Sequence, residues 1–269
     1  MNKLTLASAL AMAFSGSAFA GTITNGGFET GDLSGWTGSG GCWGGGSFFG
    51  YTCGTPPATP NTGAALPLNP SLFNQPGAAN NTIMTVGTDP ITGANRVYNG
   101  NNSVRVNDSI NNYGVSVLKQ SVTNYTDNFI YFQWNAVLEA SHGLTDSDYF
   151  SLTVTNDTDG TTLVSRAYSS AGSIGAGSSG VTWTNFGGWY SSGWVLETID
   201  VQALGALGDN LTITLLASDC PYGGHAGYVY LDGFAPVIVP PGGIPEPATL
   251  ALVGLGLLGL GAARRRKAA

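Results

Sequence analysis

Phe129-Ile130-Tyr131-Phe132-Gln133-Trp134 carries one polar side chain in six and is apolar on both faces. A short run of aromatic and β-branched residues of this kind is a buried strand at the centre of a sheet. Working outward, Ser151-Leu152-Thr153-Val154-Thr155 alternates apolar and polar side chains, as a strand with one solvated face does. Further strands are expected near 103–107, 115–122, 129–138, 149–155, 161–168, 194–201, 210–217 and 227–231, separated by Asn, Asp, Gly and Ser. Helical periodicity is nearly absent from this region. The expected fold is all-β, a jelly roll or β-sandwich spanning residues 21–235. Asn156-Asp157-Thr158-Asp159-Gly160 sits between two of the runs and reads as a hairpin turn, since Asp-Gly suits one.

Residues 38–100 have a different texture, with many Gly, Pro and Asn and little alternation. They are expected to be a long irregular insertion. Cys42 and Cys53 bracket a Gly/aromatic loop within it, and a disulfide between them would pin that loop. The third cysteine, Cys220, could instead pair with either, because three cysteines allow three single bridges. With no C-x-x-C and only His142 and His225, the chain has no zinc motif.

Both ends read as addresses rather than fold. Met1-Asn2-Lys3 is a short basic segment, residues 4–14 are largely apolar, and Ala18-Phe19-Ala20 is an A-x-A site. Residues 1–20 are therefore a secretory signal peptide, removed by signal peptidase. At the other end, residues 236–243 (Pro-Val-Ile-Val-Pro-Pro-Gly-Gly) read as an extended linker holding the domain off the membrane. Then come Pro245-Glu246-Pro247, an uncharged apolar run over 248–263, and Arg264-Arg265-Arg266-Lys267. As a helix, that run would span about 24 Å at ~1.5 Å per residue. This is short of the ~30 Å hydrocarbon core, so it is a marginal transmembrane helix. The cations stay on the cytoplasmic side and everything upstream lies outside.

The chain holds nine basic and sixteen acidic residues. Five of the bases and one acid (Glu246) lie in the two terminal addresses, leaving four bases against fifteen acids and a formal charge of −11 between them. Four scattered cations make no footprint for nucleic acid. Solubility rests on Asn, Ser, Thr and Gly.

The tail resembles the PEP-CTERM sorting signal: a Pro-Glu-Pro triplet, a short apolar helix and an Arg-rich end. Over 244–269 the matching residues are Pro245, Glu246, Pro247, Arg264, Arg265 and Arg266. The resemblance implies an exosortase as processing partner, a cut near the triplet, and delivery to the cell surface or the extracellular polysaccharide (biofilm) matrix of a Gram-negative bacterium.

A second resemblance lies inside the domain. Asn25-Gly26-Gly27-Phe28-Glu29-Thr30-Gly31-Asp32-Leu33-Ser34-Gly35-Trp36 is similar to the first strand of galactose-binding-like jelly rolls, which include many carbohydrate-binding modules. Asn101-Asn102-Ser103-Val104-Arg105-Val106 looks like the strand after it, and Tyr228-Val229-Tyr230-Leu231-Asp232-Gly233-Phe234 like the closing strand. The resemblance implies a structural calcium ion shared by Glu29 and Asp232. Two carboxylates plus backbone carbonyls can supply the oxygens calcium takes.

Other constellations carry less. Asp146 and Asp148 read as solvated loop acids. Cys220-Pro221-Tyr222-Gly223-Gly224-His225-Ala226-Gly227-Tyr228 reads as a tight turn, because its Cys and His flank a Gly-Gly and no helix N-terminus is at hand to activate the thiol. Aromatics in loop-like segments could stack on sugar rings: Trp43, Tyr51, Trp183, Trp189 and Tyr190 are the ligand-binding candidates. Trp36, Trp134 and Trp194 are expected in the core. The expected function is a non-catalytic structural or adhesive role at the cell surface. The alternative is a module that binds extracellular polysaccharide. A hydrolase is the weakest reading, since no pair of carboxylates is marked out for it.

Overall fold

The computed structural model describes residues 21–43, 47–48, 51–52, 73–141, 147–169, 181–221 and 224–241. The signal peptide, Cys53, His142, Asp146, the Tyr51 ring and the sorting tail lie outside the described residues. Among the described residues there is no helix, and the strands follow one another as β1 (Thr37–Cys42), β2 (Ser47–Phe48), β3 (Tyr51–Thr52), β4 (Gln75–Pro76), β5 (Asn81–Thr85), β6 (Asn102–Val106), β7 (Gly114–Val122), β8 (Phe129–Glu139), β9 (Tyr149–Asn156), β10 (Thr161–Ser169), β11 (Thr184–Phe186), β12 (Trp189–Ser191), β13 (Val195–Asp200), β14 (Leu211–Ser218) and β15 (Gly227–Ala235).

They form a sandwich of two antiparallel sheets. A six-stranded sheet runs β10-β9-β14-β7-β1-β4 and a seven-stranded one runs β11-β12-β8-β15-β6-β5, with β13 also on β8. Strands β12 and β13 pair with successive parts of β8, so the run that decided the fold class is flanked on both edges. Alternation then places one set of side chains between the sheets. Phe132, Trp134, Ala136 and Leu138 of β8 meet Leu118, Leu152, Val154, Ile213 and Leu215 of the opposite sheet in the main core. Trp134 packs at a tilt against Phe150 and Tyr168, with ring centroids 5.2 and 4.7 Å away. Truncating it to alanine costs about 3–5 kcal/mol by the usual penalty for a buried aromatic.

Both outer faces are covered as well. Trp43 and Phe73 close over Val115, Val117, Tyr149 and Leu216 on the six-stranded sheet. Ile91, Trp189 and Trp194 pack over Val137, Tyr228 and Tyr230 on the seven-stranded sheet.

Two expectations are corrected here. The stretch 38–100 is not an irregular insertion throughout: β1 pairs with β7, and β5 pairs with β6. Its strands are rich in Gly and Asn because they lie against other backbone and polar partners, which hides the alternation. Residues 25–36 are not a strand but a chain of turns. Phe28 N–H bonds Asn25 C=O, Gly31 N–H bonds Phe28 C=O and Trp36 N–H bonds Leu33 C=O. The turns drop Phe28 and Trp36 onto Phe234 at the sandwich's end, with centroids 6.3 and 4.8 Å from it. The hairpin turn over 157–160 is as expected, with Gly160 N–H bonding Asn156 C=O at 2.8 Å.

Candidate binding site

The last strand supplies the first piece of the site. Pairing of β15 with β8 is regular up to Asp232, opposite Gln133, and then shifts before Ala235. The shift falls at Gly233, whose φ is 69°. A Cβ there would sit 2.4 Å from Gln133 Oε1, so glycine is needed for both conformation and space. Asp232 is fully buried. Its Oδ2 accepts the N–H groups of Tyr98 and Asn99, both at 2.9 Å.

Glu29 grips the same loop one step further on. Its Oε1 accepts the N–H groups of Asn101 and Asn102, both at 2.9 Å. Gly100 lies between the two grips with φ 73°, and a Cβ on it would meet Glu29 Oε1 at 2.4 Å. Two carboxylates thus bind four backbone donors of one short loop. They also approach each other: a Cβ at Gly27 would lie 3.6 Å from Glu29 Cγ and 3.9 Å from Asp232 Oδ1. Burial pushes the Asp232 carboxyl up to about 7, against the pull of its backbone donors, and the like charge of Glu29 adds to the rise.

Asp232 Oδ1 is buried with no hydrogen-bond partner among the described residues. A buried carboxylate oxygen left in this way is costly unless water or a cation meets it. The pair Glu29/Asp232 therefore fits the calcium expectation in its chemistry. Among the described residues no cluster of three or more His, Cys, Asp or Glu side chains could hold a metal, so a cation here would rely on backbone carbonyls for its remaining ligands.

The gripped loop continues back over the outer face of the seven-stranded sheet, where a third carboxylate fixes it. Asp89 Oδ2 accepts the hydroxyls of Tyr228 and Tyr230 at 2.6 and 2.7 Å. Its Oδ1 accepts the N–H groups of Ile91 and Thr92 at 3.0 and 2.7 Å. Burial opposes the charge on Asp89, but these bonds hold its carboxyl below the usual range. Burial, with the Asp89 bonds, raises both tyrosine hydroxyls above the ordinary tyrosine range. The Arg105 guanidinium lies 5.7 Å from the Tyr228 ring centre, a cation–π contact.

Between this loop and the chain's exit lies a cleft of about 390 Å³, lined by Val86, Gly87, Asn95, Val97, Tyr98, Gly100 and Pro241. None of these side chains is charged. Trp194 flanks it: its ring centroid is 5.6 Å from that of Tyr98, tilted by 58°, and its Nε1 donates to Asn95 C=O at 3.0 Å. The size falls in the range of small-ligand pockets. A ring pair, an exposed Asn95 and fixed backbone groups suit a neutral ligand with both an apolar face and hydroxyls.

The sequence-predicted aromatics divide around this cleft. Trp43 is not available for stacking on a ligand. It is 3% exposed, its ring packs on Phe73, and its Nε1 donates to Asp219 C=O at 3.0 Å. Trp183 is partly buried against the main core. Trp189 packs beside Tyr228 on the outer face, with centroids 6.1 Å apart, and Tyr190 pairs with Leu138 on the next position of β12. Trp194, expected in the core, is partly buried against the Val137, Tyr228 and Tyr230 cluster of the outer face, with its ring also against Tyr98 beside the cleft. Tyr98 was missed altogether; the only sequence signal near it is the Asn/Gly-rich texture of the loop that carries it.

Other expectations resolve as follows. Asp148 is buried, not solvated. Cys220 is buried, and its N–H bonds His225 C=O at 3.0 Å. The Cys42–Cys53 pairing lies outside the described residues through Cys53.

No curated protein matches the chain. Among solved structures, it is similar to the carbohydrate-binding module TmCBM61 in complex with β-1,4-galactotriose, at 15% identity and TM-score 0.41, covering 80% of this chain and 96% of that one. It is similar to CBM28, a module specific for non-crystalline cellulose, at 13% identity and TM-score 0.39, covering 80% and 94%. It is also similar to a xylan-binding domain of CBM 22, at 13% identity and TM-score 0.31, covering 82% and 99%. Residues 243–267 match the PEP-CTERM protein-sorting motif, so the chain is an exported protein with a C-terminal sorting signal.

Proposed function

We propose that this protein is a non-catalytic surface or matrix protein that holds neutral polysaccharide in the cleft beside Tyr98 and Trp194. The observation that carries this reading is the cleft itself: lined by uncharged side chains, ring-flanked, and set on a loop that three carboxylates (Asp89, Glu29 and Asp232) tie down. Such a loop loses little freedom on binding, which is where preorganised sites gain affinity. The Glu29/Asp232 pair would hold a structural calcium ion, and its role would be to fix the loop from below. Both acids spend oxygens on backbone N–H groups, and Asp232 is buried, which suits fixing a loop better than protonating a glycosidic oxygen. On this reading the chain leaves the cell by its signal peptide, is processed by an exosortase, and serves an adhesive or structural role in the polysaccharide matrix of a Gram-negative bacterium. The test is a panel of neutral and acidic glycans offered to the mature protein. Binding of a neutral glycan that falls at least tenfold in Tyr98→Ala supports the reading; binding of acidic glycans alone contradicts it.

A further inference from the structure

The segment that leads to the sorting motif does not leave the domain as a free spacer. Its residues after β15 are in contact with the fold at three successive points. Val239 lies over the backbone of Gly233, where a Cβ would be 3.8 Å from its own Cβ. Asn99 Nδ2 donates to Pro240 C=O at 2.6 Å. Pro241 forms a wall of the cleft. Asn99 is itself 4% exposed and fixed by its backbone bond to Asp232, so the donor is rigid. Two adjacent prolines restrict the backbone of the docked stretch, which lowers the entropy lost on docking. By contrast Val237 and Ile238 point outward at 65% and 55% exposure.

We propose that residues 239–241 are a latch that holds the chain against the domain and slows proteolytic processing at the sorting motif. The matched motif begins at residue 243, two residues beyond the latch. A protease that cuts near Pro245-Glu246-Pro247 must take an extended stretch on both sides of the bond, and the upstream side runs into residues held by Asn99. The latch also sets geometry. Residues 242–247 reach at most ~20 Å at ~3.3–3.6 Å per residue. The Asn99 corner of the sandwich is therefore close to the membrane while the apolar run is inserted. The expectation of a spacer holding the domain clear of the lipid gives way to a short tether.

The experiment uses the full chain and elastase, which cuts after small aliphatic residues such as Val237 and Ile238 and does not cut the Val239–Pro240 bond, because proline follows it. Asn99→Ala removes the Pro240 bond, and Val239→Ser removes the packing over Gly233. Each should speed cleavage within 237–239 about fivefold, the population shift expected from losing one net hydrogen bond's worth of stabilisation. The melting temperature of the domain serves as the folding control. In cells, pulse-chase of the same variants should show a shorter half-time for loss of the tail. Cleavage at the wild-type rate in both variants would overturn the latch. Faster elastase cleavage with an unchanged processing half-time would overturn its control of sorting. Neither outcome depends on whether the cleft binds sugar.

Discussion

Asp232 divides its two oxygens between separate tasks: Oδ2 takes the Tyr98 and Asn99 N–H groups, while Oδ1 is buried and unpartnered among the described residues. If calcium meets Oδ1, saturating it at 100 times its dissociation constant adds ~2.7 kcal/mol. That corresponds to a rise of ~5–10 °C in melting temperature for a domain of this size. Scanning calorimetry with calcium and with chelator should show the rise in the wild type and none in Asp232→Ala. The acid–base sign follows from burial. Burial pushes both Asp232 and Asp219 up to about 7, well above the ordinary carboxylate range. Their contribution is fully present below pH ~3.8 and is lost as pH climbs through ~7. In chelator, melting temperature should therefore fall between pH ~4 and ~7, and the calcium-dependent gain should grow over the same interval as the carboxylate becomes charged. At this scale the sequence was partly legible. Glu29 and Asp232 stood out through short motifs at the two ends of the domain, and the structure brings them to one loop. The aromatic roles were not legible. Trp43 and Trp194 each follow glycine- and serine-rich stretches, and nothing local tells which ring a distant loop residue such as Phe73 will cover.

The loop over 86–100 behaves as an element held by its ends and middle. Val86 N–H bonds Asn101 C=O and Arg96 N–H bonds Gly87 C=O, while Asp89 ties the loop to β15 through two tyrosine hydroxyls. Asp89→Ala leaves two buried hydroxyls without their acceptor, each costing about 1–3 kcal/mol. The sandwich should stay folded, and hydrogen exchange should rise across 86–100 while β8 and β14 stay protected. Equal protection in the variant would show that the tyrosines do not fix the loop. The strands themselves were the most readable elements. Seven of the eight expected runs appear as strands within one or two residues of their expected ends, because each buries an apolar face whose period the chain displays, and the eighth, β15, runs on to Ala235, four residues past its expected end. The missed strands β1, β5 and β12 are short, rich in Gly, Asn or Ser, or half-exposed, so their pairing is decided by the neighbouring strand and not by their own pattern. Residues 25–36 misled for a related reason: they pack like part of the core but reach it through turns with positive φ at Asn25 and Phe28.

For the whole molecule, the cleft, the clamped loop and the route to the sorting motif meet at one corner of the sandwich. Pro241 belongs both to the cleft wall and to the latch, so a ligand that contacts it and the docked linker must favour each other by the same factor. A glycan that binds the cleft should therefore slow elastase cleavage within 237–239 in the wild type, with no effect on Asn99→Ala. The central claim is that this exported protein holds neutral polysaccharide in the cleft beside the packed rings of Tyr98 and Trp194. Its most direct test is a glycan array read with the mature wild-type protein and with Tyr98→Ala and Trp194→Ala, each checked for an unchanged fold. The account predicts a neutral glycan bound by the wild type and weakened at least tenfold in both variants. A wild-type protein that binds no glycan, or variants that bind as well as it does, would contradict it.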